Sequence, residues 1–306
     1  MKNKTLPATF AALAAQIIFG FSFMFTKIAI EKGVSPMTVI ADRYIVAFLG
    51  LSAVLLIGRI KIKLKKNMWK LVLMSVFQPV LYFVFETYGI KLTTSGFSGV
   101  MISLIPVVSM ISGIFVLKEI PSPMQYVFTA LSVGGVVIMT LAEKAEGTVE
   151  PLGVVLLLGA VLASVAYNVA SRKISAEFNS FERTYAMTVI GLAVFMVIAL
   201  AENIKNPMAI VSPFADFSYT GAILYLGVLS SVVAFLLLNY ANTHLPVAKT
   251  TVFSNFTAVV SVVAGIWFMD ENFNSIIAVS VAMIIIGVWG VQLLSVKNKN
   301  NKGEGK

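Results

Sequence analysis

SMISGIFVLKE, residues 109–119, returns 152 residues later as SVVAGIWFMDE, residues 261–271. At the same shift Tyr88 falls on Tyr240, Ser109 on Ser261, Gly113 on Gly265, Glu119 on Glu271 and Gly135 on Gly287, with no gap needed. A shift near 144 lays IFGFSFMFTK over LASVAYNVAS, more weakly. The chain reads as a duplication, and what each copy contains decides the fold.

Each copy is mostly apolar. Of 306 residues, 58% are hydrophobic and 12% charged, where soluble domains carry about half and about a quarter. The apolar residues gather in blocks of roughly 20, the length that crosses a bilayer's hydrocarbon core. The expected fold is an all-α integral membrane protein with ten transmembrane helices, at 8–30, 37–57, 69–89, 94–117, 123–141, 152–171, 182–201, 218–240, 247–269 and 275–296. Pro36, Pro121, Pro123, Pro151, Pro213 and Pro246 fall in the gaps, where a missing backbone donor does little harm. Lys2 and Lys4 ahead of the first apolar run imitate a signal peptide. That run outlasts a signal core and ends in a charged loop, so an uncleaved first helix is expected.

The net charge of +9 does not point to nucleic acid, because the basic residues lie between apolar blocks or at the C-terminus. Such charge sets topology, with Lys and Arg kept on the cytoplasmic side. Lys2, Lys4, the run GRIKIKLKKNMWK (58–70), Lys118, Arg172, Lys173, Arg183, Lys249 and the C-terminal lysines share one side. The other side holds Lys27, Lys32, Lys91, Lys144, Lys205 and the acidic AEKAEGTVEP (142–151). Both termini are therefore expected in the cytoplasm of a cell-membrane protein. The run from Lys61 to Lys70 also suits lipid headgroups.

Five spans per copy is an odd number, so the second copy is expected upside down relative to the first. The domains are then 1–141, a first five-helix repeat; 142–151, an extracytoplasmic linker; 152–296, a second repeat; and 297–306, a disordered basic tail. Inverted repeats are a hallmark of secondary transporters, whose mirrored halves exchange inward- and outward-facing states around a midplane site.

These residues also resemble a known family. IFGFSFMFTKIAI in the first span, SPMTVIADRYIVAFLGL in the second, and the stretches closing each half are similar to ten-helix EamA-type members of the drug/metabolite transporter superfamily. The resemblance covers nearly the whole chain, with Gly20 in the family's small-residue position and Arg43 in its arginine position. It implies a carrier of amino acids, metabolites or drugs, often outward, with a cavity lined by both halves. The chain departs from the pattern at Ala258, where the first copy has Pro106.

One charge stands out. VLYFVFETYGIKL (80–92) holds Glu86 in an apolar and aromatic run, and intramembrane carboxylates are functional candidates by default. Helical spacing puts Ser75, Pro79, Tyr82, Glu86 and Gly89 on one stripe. Lys27, Asp42, Arg43 and Glu86 fall at similar depth, and their counterparts in the second half are Ser171, Met187, Thr188 and Leu238. Glu86 has three readings: an ion pair with Arg43 or Lys27, a proton site that couples transport, or a ligand for a substrate amine. Arg43 is either an anchor reaching the interface or a fork for a substrate carboxylate.

Ser164, Asn168 and Ser171 form a stripe in the sixth span, and Asn168 and Asn255 are candidate substrate contacts. The small residues of spans four and nine let helices pack closely, while Pro106 marks a candidate bend whose freed carbonyls face a cavity. Glu119 and Glu271 are read as capping or gating residues, and His244 as a solvated loop residue.

Rival classes fare worse. With no cysteine, one histidine and no metal-ligand spacing, no catalytic or metal centre is expected, and no cofactor. A channel needs a continuous polar lining, which Phe and Ile interrupt here. Flipping of a lipid-linked molecule stays open. The expected function is a secondary transporter of small organic solutes: not an enzyme, an exporter by alternating access, with protons as candidate coupling ion.

Overall fold

A computed structural model describes residues 5–58, 67–109, 122–145, 147–245, 250 and 253–303. Among the described residues there are ten helices and two 3-10 turns, and no strand. Seven helices are long and apolar enough to cross a membrane: α1 (Thr5–Glu31), α2 (Pro36–Ile57), α3 (Trp69–Lys91), α5 (Pro123–Glu143), α6 (Pro151–Ile174), α7 (Ser180–Glu202) and α8 (Phe217–His244). Three are shorter: α4 (Ser95–Ser109), α9 (Ser254–Met269) and α10 (Ser275–Gly290). The helical backbone of α10 continues through Gly303, into the stretch expected to be tail. Extending an existing helix costs little, because nucleation is the expensive step.

Local chemistry starts these helices where the sequence changes character. Ser35 caps α2 through Thr38 N–H, with Pro36 in the first turn. Thr94 caps α4 through Phe97 N–H. Asn179 and Glu182 form a capping box on α7. Asp216 caps α8 through Tyr219 N–H. Two helices are not plain α-helices, which the apolar pattern did not reveal. A π-helical stretch spans Val76–Leu81 of α3, where Gln78 leaves the helical region at φ −147°, ψ 115° and precedes a cis Pro79. A second spans Tyr225–Ala234 of α8. In α4 the helix is interrupted by a turn at Ser103–Leu104, just before Pro106.

Helix packing pairs α5 with α10 and α2 with α7, counterparts in the two sequence halves. A Cβ on Gly135 of α5 would meet Ser280 O and Ile284 of α10, and one on Gly287 would meet Phe128 O and Ser132. As the position rises along α5 it falls along α10, so the two run antiparallel. The same holds for α2 and α7, where Asn203 donates to Thr38 and Phe48 lies 6.4 Å from Tyr185. Close approach at glycine is how such helices associate without a hydrophobic drive from water. Helices α3 and α6 also pack together, as do α1 and α8.

Bonds join the sequence halves at both ends of the bundle. At one end Lys32 pairs with Asp216 at 2.8 Å, and Ser35 donates to Glu202 at 2.7 Å. At the other, Lys70 and Asn67 both reach Glu177. The Lys32 ammonium, then the Tyr219 N–H, hold the Asp216 carboxyl below its ordinary value of 3.8. A carboxyl depressed in the folded state stabilises above its unfolded pKa, and that contribution disappears as pH falls through the folded value. Asp216→Asn keeps the cap and loses the pair. Its thermal midpoint should lie a few degrees under wild type from neutral pH to about 4, and the two curves should converge in stronger acid. A gap that persists there would mean that the pair is not what stabilises this end.

Candidate functional site

The centre of the bundle holds a narrow polar cavity. Its walls are Gln16, Phe19, Ser22 and Phe23 of α1, Arg43 of α2, and Gln78, Tyr82, Phe83 and Glu86 of α3. Ile102 and Ile105 of α4, Ser164 and Asn168 of α6, Phe235 and Leu238 of α8, Thr250, and Ser254 and Thr257 of α9 complete it. Both halves of the chain contribute. Counted over the positions a water centre can occupy, its volume is about 40 Å³. That holds a few waters and is too small for a drug-sized solute, so the walls must part to admit one.

Glu86 is 2% exposed. Tyr82, one turn earlier, donates its hydroxyl to Oε1 at 3.0 Å, while Oε2 is buried without a hydrogen-bond partner. No ion pair within 4 Å joins Glu86 to Arg43 or Lys27 among the described residues, which counts against the first of the three readings of Glu86. Arg43 turns elsewhere. Its Nε donates to Ser231 Oγ at 2.6 Å and one Nη to Ser230 Oγ at 2.8 Å, both in the π-helical stretch of α8. Its guanidinium sits 4.1 Å from the centroid of the Phe83 ring, a cation–π contact. At 3% exposure it is not the interfacial anchor considered above: serines and an aromatic face replace water around it.

The other candidates separate. Lys27 donates to the carbonyls of Ile90 and Thr93, at 3.2 and 2.7 Å, closing the end of α3 rather than lining the cavity. Asp42 accepts from Tyr219 Oη at 2.6 Å, near the start of α8 and away from the serines that hold Arg43. The four charges do not form one site; of them only Arg43 and Glu86 reach the cavity. Asn168 lines it and accepts from Asn242 Nδ2 at 3.1 Å. Asn255 lies off the wall, buried, with Oδ1 unpartnered. Gly20 serves packing, since its Cβ would fall 2.6 Å from Val260. Pro106 is buried, while its neighbour Ile105 lines the cavity.

Glu271 grips a helix end. Helix α9 closes on Asp270 at φ 50°, whose N–H returns to Gly265 O, and the Glu271 N–H reaches the same carbonyl at 3.1 Å, a left-handed closure that ends a helix. This turns the Glu271 carboxylate onto the start of α4. Oε1 accepts from Ser95 N–H and Oγ, both at 2.6 Å, and Oε2 from Gly96 N–H at 2.9 Å. Negative charge is favoured at a helix N-terminus. Side chains on Gly96 or Gly265 would collide with Oε2, at 2.8 and 2.3 Å. Glu271→Ala should cost about 1–2 kcal/mol, read as a lower thermal midpoint in detergent, with Gln recovering part of it. An unchanged midpoint would remove the cap from the list of supports. Glu119 lies outside the described residues, as does the basic run 59–66.

Some residues take roles that the sequence reading did not give them. Arg183 is fully buried, donating to Ser171 O and Oγ, Asn239 O and Thr243. It holds Ser171 away from the cavity that Ser164 and Asn168, on the same stripe, line. Arg172 bonds the Asn242 and Thr243 carbonyls. His244 is not a loop residue: it ends α8, half-buried, with Nδ1 2.9 Å from Tyr240 O and its ring 4.3 Å from that of Tyr240. Gln78 was signalled only by the proline after it.

Comparison with known proteins follows the same lines. The family model described as the EamA-like transporter family matches residues 6–141 and 151–293. The chain is 31% identical to an uncharacterized transporter, YcxC, of Bacillus subtilis (strain 168), covering 99% of this chain and 98% of that one. It is 23% identical to a WAT1-related protein of Arabidopsis thaliana, over 94% of this chain and 85% of that one. A solved crystal structure superposes with a TM-score of 0.67 at 18% identity, covering 94% of this chain and 99% of that chain; at that identity the likeness concerns the fold.

Proposed function

The chain belongs to the EamA-like transporter family and is a multi-pass membrane transporter, and on that premise we propose that it is a secondary carrier exporting small organic solutes by alternating access. The observation that carries the reading is the central cavity around Glu86, built from both halves and too narrow to pass a solute in this conformation. A channel would need a standing path; a carrier needs a site that opens to one side at a time. Contacts between the halves at both ends suit such a cycle, one set parting while the other holds.

In this reading all ten helices span the membrane, both termini are cytoplasmic, and the halves at 1–141 and 152–296 are inverted repeats. The antiparallel pairing of α5 with α10 and of α2 with α7 supports it. Inversion requires that a helix and its equivalent run in opposite directions. Glu86 is the coupling or substrate carboxylate, because a buried acid oxygen without a partner is costly and gains from a proton or a cationic ligand. Protons are the candidate coupling ion.

The test is untargeted metabolite profiling of medium and cytosol from cells producing wild type, Glu86→Gln or neither. A solute enriched in the medium with wild type alone is the expected result. No difference between wild type and the empty control would overturn the exporter reading.

A further inference from the structure

Resting on that carrier reading, we infer that the cavity is selective for organic ammonium ions with an apolar body, and that it disfavours amino acids and carboxylic acids. The case begins with which groups are spoken for. Among the described cavity walls, Arg43 is the one base and Glu86 the one acid. Arg43 already donates through Nε and one Nη to two serines and lies on the face of Phe83. A substrate carboxylate would have to displace that arrangement and would meet Glu86 in the same cavity.

The fully buried wall atoms left without a partner are acceptors. Glu86 Oε2 and Gln78 Oε1 are buried on wall residues with no partner, and no nitrogen is among the described buried atoms in that condition. Two buried acceptors favour a ligand that brings donors to them. An ammonium carries its donors and a positive charge, so it satisfies Glu86 Oε2 by a charge-assisted bond. A neutral hydroxyl supplies a donor without the charge.

The remaining wall is aromatic. Phe19 lies edge-on to Phe235 at 5.1 Å, Phe235 to Phe83 at 6.3 Å, and Phe83 to Tyr82 at 5.0 Å. This chain of rings runs beside Glu86 and can take both an apolar body and the cation's share of ring quadrupole.

Matched probes test the inference. The purified full chain in detergent is titrated with phenethylamine, phenylalanine and 3-phenylpropionate, then with tryptamine, tryptophan and indole-3-propionate, then with isoamylamine, leucine and 4-methylpentanoate. In at least one series the amine should bind at least about 10-fold more tightly than its amino acid and acid partners. That advantage should vanish in Glu86→Gln, which also measures partitioning of amines into micelles, and return in part in Glu86→Asp. The wild-type ranking stands as a test should either variant fail to fold.

An acid or amino acid binding as tightly as its amine in every series that binds would overturn the inference. So would unchanged amine binding in folded Glu86→Gln, or no saturable binding of any probe. Its failure is separable from failure of the carrier reading: export of an anion or a zwitterion sinks the ammonium site and leaves the carrier, whereas no exported solute sinks the carrier.

Discussion

Glu86→Gln is expected to lower solute flux by about 10- to 100-fold while leaving the protein folded. Glutamine keeps the volume, and its carbonyl can still accept the Tyr82 hydroxyl that now reaches Oε1. What disappears is the charge and the acceptor at Oε2, the atom the fold leaves unpartnered. The loss should fall on transport, not stability, because removing an unpaired buried charge relieves a desolvation cost. Proteoliposome flux of the exported solute, with and without an imposed pH gradient, separates the roles. In wild type the gradient should accelerate flux; in Glu86→Gln flux should be low and indifferent to it. Wild-type flux in the variant would reduce Glu86 to a partner of Tyr82. Low flux that still responds to pH would move the coupling site elsewhere, with Asp42 the next buried carboxyl to try.

Much of this site was legible because membranes make charge conspicuous. An acid in VLYFVFETYGIKL has few explanations, and the same logic marked Arg43. The stripe through Tyr82 and Glu86 followed from helical spacing, and the structure joins the two by a hydrogen bond. Gly135 and Gly287, aligned only by the repeat, sit where α5 and α10 touch. What could not be read was partnership. Opposite charges at equal depth suggested ion pairs, yet Arg43 spends its donors on Ser230 and Ser231 and Lys27 on two carbonyls. Serines in an apolar helix read as packing residues, and carbonyls leave no mark in a sequence. The π-helical stretches are invisible for the same reason: they shift register without changing composition. Asn255 was chosen for lying beside the small stripe of α9, and one position on a helix turns a side chain by about 100°, enough to take it off the cavity wall.

The tightest crossing in the bundle leads to the largest expected effect on stability. A Cβ on Gly99 of α4 would fall 1.9 Å from Ser261 Oγ and 2.3 Å from Ser261 Cβ, with Phe23 next at 3.5 Å. A rotamer change moves Oγ but not Cβ, so no rotamer of Ser261 clears the space. Gly99→Ala must push α4 from α9, at a cost of about 1–3 kcal/mol, and Gly99→Leu should cost more, leaving little folded protein. Ser261→Ala in the Gly99→Ala background should rescue poorly, because it removes Oγ and keeps Cβ. Ser261→Gly should rescue well. It transfers the one Cβ from α9 to α4 at nearly constant volume, leaving only the helix penalty of a glycine, about 1 kcal/mol. Ser261 Oγ bonds only its own helix, at Ala258 O, so no interhelical bond is lost. Thermal unfolding of wild type, Gly99→Ala, Ser261→Gly and the Gly99→Ala/Ser261→Gly double variant in one detergent gives the coupling directly. Equal midpoints for Gly99→Ala and wild type would show that α4 and α9 separate freely, and the crossing would then restrain neither the fold nor the movement of the cavity wall that α4 forms.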